Sequence, residues 1–377
     1  MFLQIHTLVS YPASLLNRDD AGLAKRIPFG NASRLRVSSQ CLKRHWREDL
    51  VQQLPELPDG LRTRSFFTRA IKPRLLDSGV SEHLAESLTE TLATGLIKGG
   101  VEKGGDMSQP VLFGAREADY LIAFVQESIV GAGDPAAALK RRLEKLSRDE
   151  KDNFKAMSKA AAGLTAALFG RFVTSDLLAR VDAPVHVAHA FTVHAANTEM
   201  DYFTVVDDLN RADETGAAHA NQAELGAGVY YVHVAVDVPL LVSNLSGSTT
   251  RDWRNQPAEP ARSVLIALAQ SIASRTPGAK LGSTAPYSRA DLVLVEAGPQ
   301  QPRTLANAFL EALPARGNVL QEGARRMGDQ LRRTDAMYGA TADARALATT
   351  LDGLAWEAVS QLPLAAAVRH VLDAAWA

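Results

Sequence analysis

The chain opens on an alternation. Leu3, Ile5, Thr7 and Val9 fall on one side and Gln4 and His6 on the other, the two-residue period of a β-strand. The period then changes. After Ser38 and Ser39, Leu42, Trp46 and Leu50 recur every four residues, which predicts a helix over 38–50 with one apolar stripe. Either serine suits its start, because a hydroxyl accepts from the unpaired N–H groups of a first turn. Pro55, Pro58 and Pro73 interrupt the next stretch. From 81 to 168 the chain is Ala-rich and reads as helices at 81–97, 116–130, 135–147 and 151–168, with Asp134-Pro135 as a start signal. Strand texture returns near 169. Val185, Val187, Phe191 and Val193 alternate with polar or small residues, and Tyr230, Val232, Val234, Val236 and Val238 share a second face. Between them, 195–228 is polar and glycine-bearing, which predicts a protruding arm or extended hairpin. A helix at 261–275, a basic turn at 275–280, a strand at 290–297, a helix at 303–313 and a helical tail over 343–375 complete the reading. The order predicts an α+β fold: a ferredoxin-like β-α-β-β-α-β core with insertions, the frame of the RNA recognition motif.

Composition narrows the class. With 46% hydrophobic and 22% charged residues, the chain reads as an ordinary globular protein. No apolar run approaches the roughly 20 residues that span a membrane, so no membrane partner is expected. The start lacks a basic leader and reads as strand rather than signal peptide. The single cysteine, Cys41, excludes an intrachain disulfide and suits a cytoplasmic setting.

Net charge is −1, but it is unevenly spread. Residues 1–74 hold thirteen Lys and Arg against six Asp and Glu, a local +7. Arg18, Lys25, Arg26, Arg34 and Arg36 lie before the first helix, in a stretch whose Gly22, Pro28 and Gly30 read as loop. Lys43 and Arg47 share a helix stripe beside the apolar one, and Arg44 sits about 100° further round. Cations gathered at a helix N-terminus favour phosphate, and a basic groove on an acidic body suits nucleic acid. A merely solvated basic surface is the alternative. Phe66 and Phe67, set among Arg62, Arg64, Arg69, Lys72 and Arg74, can stack on bases or anchor a loop to the core. Lys140, Arg141, Arg142, Lys145 and Arg148 share one helix, as a solvated face or a second nucleic-acid surface.

Asp19-Asp20 is the carboxylate pair of the basic loop. It can serve a metal-dependent ribonuclease or brace the loop against Arg18 or Lys25. His186 and His194 face one side of a strand and His189 the other, so the three do not converge on a metal. No phosphate-cradling P-loop, nucleophile elbow or dinucleotide fingerprint is present, and no cofactor is expected.

The strings "NRDD", "PFG" and "RLRVSSQCLKRHWR" closely resemble the signature of the CasC family, the backbone subunit of the type I-E CRISPR Cascade complex. "HVAHAFTVH", "DYFTVVDDL", "GAGVYYV", "PGAK", "ADLVLV" and "LANAF" resemble its later blocks. Residues 75–165 and those beyond 315 match poorly. The resemblance implies a hand-like molecule: a palm of the RNA-recognition kind at 1–60, 169–195 and 227–377, helical fingers at 61–168 and a thumb at 196–226. It implies a non-catalytic scaffold that polymerises along the CRISPR guide RNA (crRNA), presents it to a target DNA strand, and assembles with further copies of itself, other Cascade subunits and a recruited nuclease-helicase. The positions implied to touch guide RNA are Arg18, Lys25, Ser39, Gln40, Lys43, Arg44, Arg47, Arg171 and Phe172, with Tyr202 and Phe203 as the aromatic wedge of the thumb. The rival functions are a metal-dependent ribonuclease using Asp19 or Asp20, as in type III backbone subunits, and a monomeric RNA-binding protein. The usual aromatic motif of an RNA-recognition sheet is absent, which speaks against the latter.

Overall fold

In the computed structural model, residues 1–160, 162–173, 175, 177–178, 180–205, 219–278 and 281–377 are described. The chain divides into two compact units. The first comprises Met1–Leu50, His186–Val236 and Arg262–Ala377, the second Val51–Val185 and Asp237–Ala261.

The first unit begins with β1 (Phe2–Ser14), the hairpin β2 (Arg26–Phe29) and β3 (Ala32–Val37), and helix α1 (Ser39–Gln53). In the second unit lie β4 (Gly60–Thr63), α2 (Lys72–Asp77), α3 (Glu82–Leu96), β5 (Val111–Gly114), α4 (Ala115–Ile129), α5 (Pro135–Glu144), α6 (Arg148–Ala160) and α7 (Gly163–Phe169). The chain then supplies β6 (Val185–Val187), β7 (Ala190–Thr192), β8 (Thr198–Val205) and β9 (His219–Asp237). Helix α8 (Val238–Ser246) belongs to the second unit. The remainder is α9 (Ala258–Ser274), α10 (Leu281–Thr284), β10 (Ala290–Gly298), α11 (Val319–Tyr338), β11 (Ala344–Thr349), β12 (Ser360–Gln361) and α12 (Leu364–Trp376).

The sheet of the first unit runs β12-β11-β10-β1-β9-β7-β3-β2, with β6 and β8 also pairing with β9. Most pairs are antiparallel, β1 with β10 and β10 with β11 among them, while β11 and β12 run parallel. The alternation of β1 is real, but both of its faces are covered: Leu3 and Ile5 are buried, and so are Gln4 and His6 on the opposite face. Helix α11 packs against β1, and α12 against β10 and β11. Leu8, Phe191, Tyr231, Leu294, Phe309 and Met327 form the heart of one core. His6 is kept there by partners: Tyr231 Oη lies 2.8 Å from its Nδ1, and Glu296 3.3 Å from its Nε2.

Two expectations fail in this unit. Residues 303–313 form only a short 3₁₀ turn at Ala306–Phe309. The tail is not continuously helical, because Ala344–Thr349 pairs with β10 as β11. Helix α11, strongly amphipathic and capped by Asn318 on the Gln321 N–H at 3.0 Å, lies between the two helices expected at 303–313 and 343–375.

The second unit is mostly helical, around Phe67, Leu88, Leu92, Phe113, Leu121 and Phe154. Asp134 caps α5 through the Ala137 N–H at 3.1 Å, as its sequence predicts. Phe66 and Phe67 anchor this core. They are 2% and 0% exposed, and Phe66 stacks on Phe113 with centroids 3.9 Å apart, which rules out a base-stacking role. Among the described residues no helix is long and apolar enough to cross a membrane.

Candidate nucleic-acid interface

Helix α1 is fixed by its apolar stripe. Leu42, Trp46 and Leu50 are 4%, 1% and 1% exposed, each contributing about 1.5–3 kcal/mol of burial. Polar contacts hold the same side. Asp49 accepts from Ser271 Oγ at 2.8 Å, and His45 bridges the Cys41 carbonyl at 2.8 Å and the Gly278 carbonyl at 3.0 Å. Docked so, α1 leaves Arg44 exposed and Lys43 and Arg47 half-buried. Arg44 pairs with Glu48 at 3.0 Å, a surface pair that yields readily to a stronger anion.

The start of α1 is capped by Ser38, whose Oγ accepts from the Cys41 N–H at 3.3 Å. Asn17 ties the preceding loop to it: its Oδ1 accepts from the Ser38 N–H at 2.9 Å, and its carbonyl from the Lys25 N–H at 2.9 Å. Asp19 closes the loop by accepting from the Leu23 N–H at 2.9 Å. The brace is thus a backbone contact rather than the expected pairing with Arg18 or Lys25. Arg18 and Asp20 are exposed.

At the mouth of this loop sits His189. Its Nδ1 accepts from the Ser39 N–H at 3.2 Å and lies 3.3 Å from Arg36 Nη1. Both contacts suit a neutral imidazole. Burial lowers its pKa, and the charges of Arg36, Lys25 and Lys43 lower it further. Arg36 thus touches the imidazole beside the helix start, with Lys25 and Lys43 near enough for their charges to act on it, while Arg44 and Lys25 act on Cys41 in the first turn of α1. A phosphate there meets several positive charges and a helix N-terminus together. From the sequence, His189 is only a strand histidine facing away from His186 and His194. Its place at the loop mouth follows from a strand some 150 residues on pairing with β3 through Arg36 and Phe191, which no local pattern announces.

The other expected positions divide. Gln40 is exposed; Ser39 is buried and its Oγ lies 3.3 Å from Gln40 Oε1. Two loop cations are withdrawn. Arg34 is fully buried, donating to the carbonyls of Thr192 at 3.1 Å and Phe309 at 2.7 Å. Arg26 is engaged by Glu224 and Thr198. The stretch they occupy is a hairpin, β2–β3, rather than loop.

In the second unit, Arg171 is 3% exposed and holds the equally buried Glu117 at 2.7 Å. That carboxylate also accepts from the Gly114 N–H at the start of α4. The Arg171 charge is consumed inside the fold, so the expected nucleic-acid contact does not suit it. Its neighbour Phe172 is 75% exposed, with the Arg180 guanidinium 5.1 Å from its ring centroid. In the first unit, β8 and β9 pair as an antiparallel hairpin from Thr198↔Gly226 to Val205↔His219, in keeping with the extended hairpin expected at 195–228. Tyr202 on it is 61% exposed. The side chain of Phe203 and the hairpin tip at 206–218 lie outside the described residues, as does part of the "PGAK" turn. Among the described residues no three His, Cys, Asp or Glu side chains are grouped to hold a metal ion.

Comparison with known proteins gives the arrangement a context. No curated protein matches the chain. One solved structure, a chain of a "CRISPR RNA-guided surveillance complex, pre-nicking", is similar at 25% identity and a TM-score of 0.84, over 99% of this chain and 100% of that one. A chain of another "CRISPR RNA-guided surveillance complex" shares the fold at 21% identity and a TM-score of 0.62, over 100% of both. The model of the family described as CT1975-like protein matches residues 3–373, nearly the whole length, and the chain belongs to that family.

Proposed function

We propose that this protein is the crRNA-binding backbone subunit of a type I-E Cascade surveillance complex, a non-catalytic scaffold of the cytoplasm. Copies polymerise along the guide and present it for pairing with invading target DNA. Other Cascade subunits and a nuclease-helicase join them. The observation that carries this reading is the end-to-end likeness to a chain of an RNA-guided surveillance complex. The cations at the start of α1 supply the means. Contacts to phosphate grip RNA whatever its sequence, which a protein serving variable guides requires, and base pairing then does the reading.

Lys25, Arg36, Lys43, Arg44 and Arg47 form the proposed grip, with Arg18, Ser39 and Gln40 around it. Tyr202 and Phe203 act as the wedge of the thumb, 196–226, whose size and flat rings part neighbouring bases. Phe172 offers a further stacking face. Residues 1–60, 169–195 and 227–377 make the palm and 61–168 the fingers.

Co-expression with a guide tests the proposal. The wild-type chain is expected to elute as a ribonucleoprotein assembly. Lys43→Glu with Arg47→Glu is expected to elute without RNA while its circular dichroism spectrum is unchanged, and normal loading of that variant defeats the assignment. Each phosphate contact removed singly should flatten the salt dependence of binding by about 0.7 in log–log slope. RNA cleavage in Mg²⁺ or Mn²⁺ that disappears in Asp19→Ala or Asp20→Ala favours a nuclease instead.

A further inference from the structure

Glu224 is an acidic residue only 5% exposed. It lies on β9, opposite Met200 of β8, near the root of the hairpin. Its two oxygens serve different segments. Oε2 accepts from the Ala24 N–H, in the phosphate loop, at 2.7 Å, and Oε1 pairs with Arg26 of β2. The same guanidinium donates to Thr198 Oγ1 on β8 at 3.0 Å. A second stitch lies nearby: the Ala196 N–H donates to the Ser33 carbonyl of β3 at 2.8 Å.

We infer that Glu224 is the tie that makes the β8–β9 hairpin and the 17–25 phosphate loop move as one body, and so sets the interval at which successive copies seat on a guide. The inference rests on the function proposed above. A carboxylate this buried persists when charge and hydrogen bonds satisfy both oxygens. Burial works to raise the pKa of Glu224, yet hydrogen bonds from Thr198 and the Ala24 N–H, with the Arg26 charge, hold it below the usual carboxylate range. Among the described residues, the partners that satisfy it come from the loop, β2 and β8. Arg26 and Glu224 are therefore positioning residues, and Arg26, tied there, is absent from the phosphate grip. A scaffold whose hairpin and grip were independent would hold RNA with each copy yet space the copies irregularly. A fixed angle between them converts each binding event into a template for the next, which is where cooperative assembly arises.

The full chain tests this. Hydrogen exchange on wild type and Glu224→Gln is the first arm, independent of RNA. Faster exchange is expected in both 17–25 and 198–202, with α3 and α4 unchanged; loosening of the loop alone overturns the tie. The second arm uses RNA. On an oligonucleotide holding one copy, Glu224→Gln is expected to bind within about twofold of wild type, whereas on a full guide its assembly midpoint rises about tenfold and the periodic nuclease footprint is lost. An unchanged footprint, or equal losses on short and long RNA, overturns the spacing role. Arg26→Gln removes the counter-charge that holds Glu224 in place and serves if Glu224→Gln misfolds; it should show the same defect, and the double variant no more than either. Failure of wild type to bind RNA defeats the function proposed above, while the exchange arm still judges the tie.

Discussion

Arg34 and Arg36 stand two apart on β3, so a strand's period of two puts them on the same face. Their surroundings differ. The segment at Phe309 closes over Arg34, which donates to two carbonyls there and in β7. Arg36 lies one step nearer α1, part-exposed beside His189. Arg34→Met is expected to cost about 2–3 kcal/mol, because it leaves buried carbonyls without donors. Arg36→Met should stay within about 0.5 kcal/mol of wild type, as surface changes usually do, and should weaken RNA binding instead. Urea denaturation and a filter-binding titration separate the two; equal stability losses contradict the distinction. Lysine is no substitute at position 34, since one ammonium cannot span both carbonyls as the guanidinium fork does.

Among the elements, the β2–β3 hairpin shows how tightly the approach to α1 is shaped. Its turn is Gly30-Asn31, and Gly30 has φ +61°. A Cβ there falls 1.7 Å from the Leu310 carbonyl oxygen, while Asn31 bonds that carbonyl and the Ala312 N–H. Gly30→Ala therefore meets both backbone strain and a wall of main chain. Gly22 also has positive φ, at +85°, but nothing lies within 4 Å of its would-be Cβ. Gly22→Ala is expected to cost about 1 kcal/mol, the strain alone, and Gly30→Ala well over 2 kcal/mol; thermal melts of the pair measure the difference, and similar melting points for both are incompatible with the close approach. The other hairpin, β8–β9, answers to a different measurement. Trimming 198–224 should leave affinity for a one-copy RNA nearly intact and abolish ordered assemblies on a long guide, as seen by electron microscopy. Ordered filaments from the trimmed chain dismiss its thumb role.

At the scale of the molecule, the sheet carries a buried ionic layer under α11. Glu296 is fully buried, held by Arg303 through two 2.8 Å bonds and by Arg345 at 2.7 Å, and Asp335 of α11 pairs with Arg345. His6 stacks on His233 with ring centroids 4.5 Å apart. Burial lowers the pKa of both imidazoles, that of His233 to about 2. Although burial works to raise it, Glu296 is held well below the usual carboxylate range by hydrogen bonds from His6 and Arg303. The signs agree. In the unfolded chain an imidazole takes up its proton near its ordinary 6.5, whereas the folded ones stay neutral. Stability is therefore full above that value and falls with pH below it, until the folded pKa is reached. Glu296 adds a further loss once the pH drops past its ordinary 4.5. Between pH 7.5 and 5.5 the loss from His233 is expected to be about 1.4 kcal/mol, and His6 adds to it in the same direction. Urea unfolding at the two values tests it, and His233→Asn should flatten the dependence; the same slope in that variant assigns the protons elsewhere.

Some of this chain was readable without coordinates because its causes are local. The apolar stripe and cap of α1, the cap of α5, the strand alternations and the cations crowded near the amino terminus all depend on residues a few positions apart. The first strand, most helices of the second unit and the hairpin between two strong strands followed from such spacing. Ala344–Thr349 did not: its Ala-rich sequence favours helix locally, but β10 offered a full ladder of backbone partners and Glu296 awaited Arg345. Nor could spacing show that Arg34, Arg26 and Arg171 spend their charge within the fold while Arg36 reaches His189 at the start of α1. A cation's fate depends on which segment covers it, and the covering segments come from 150 or more residues away in the case of Arg34, Arg26 and His189. Sequence supplied the charge; pairing across the sheet decided where it points.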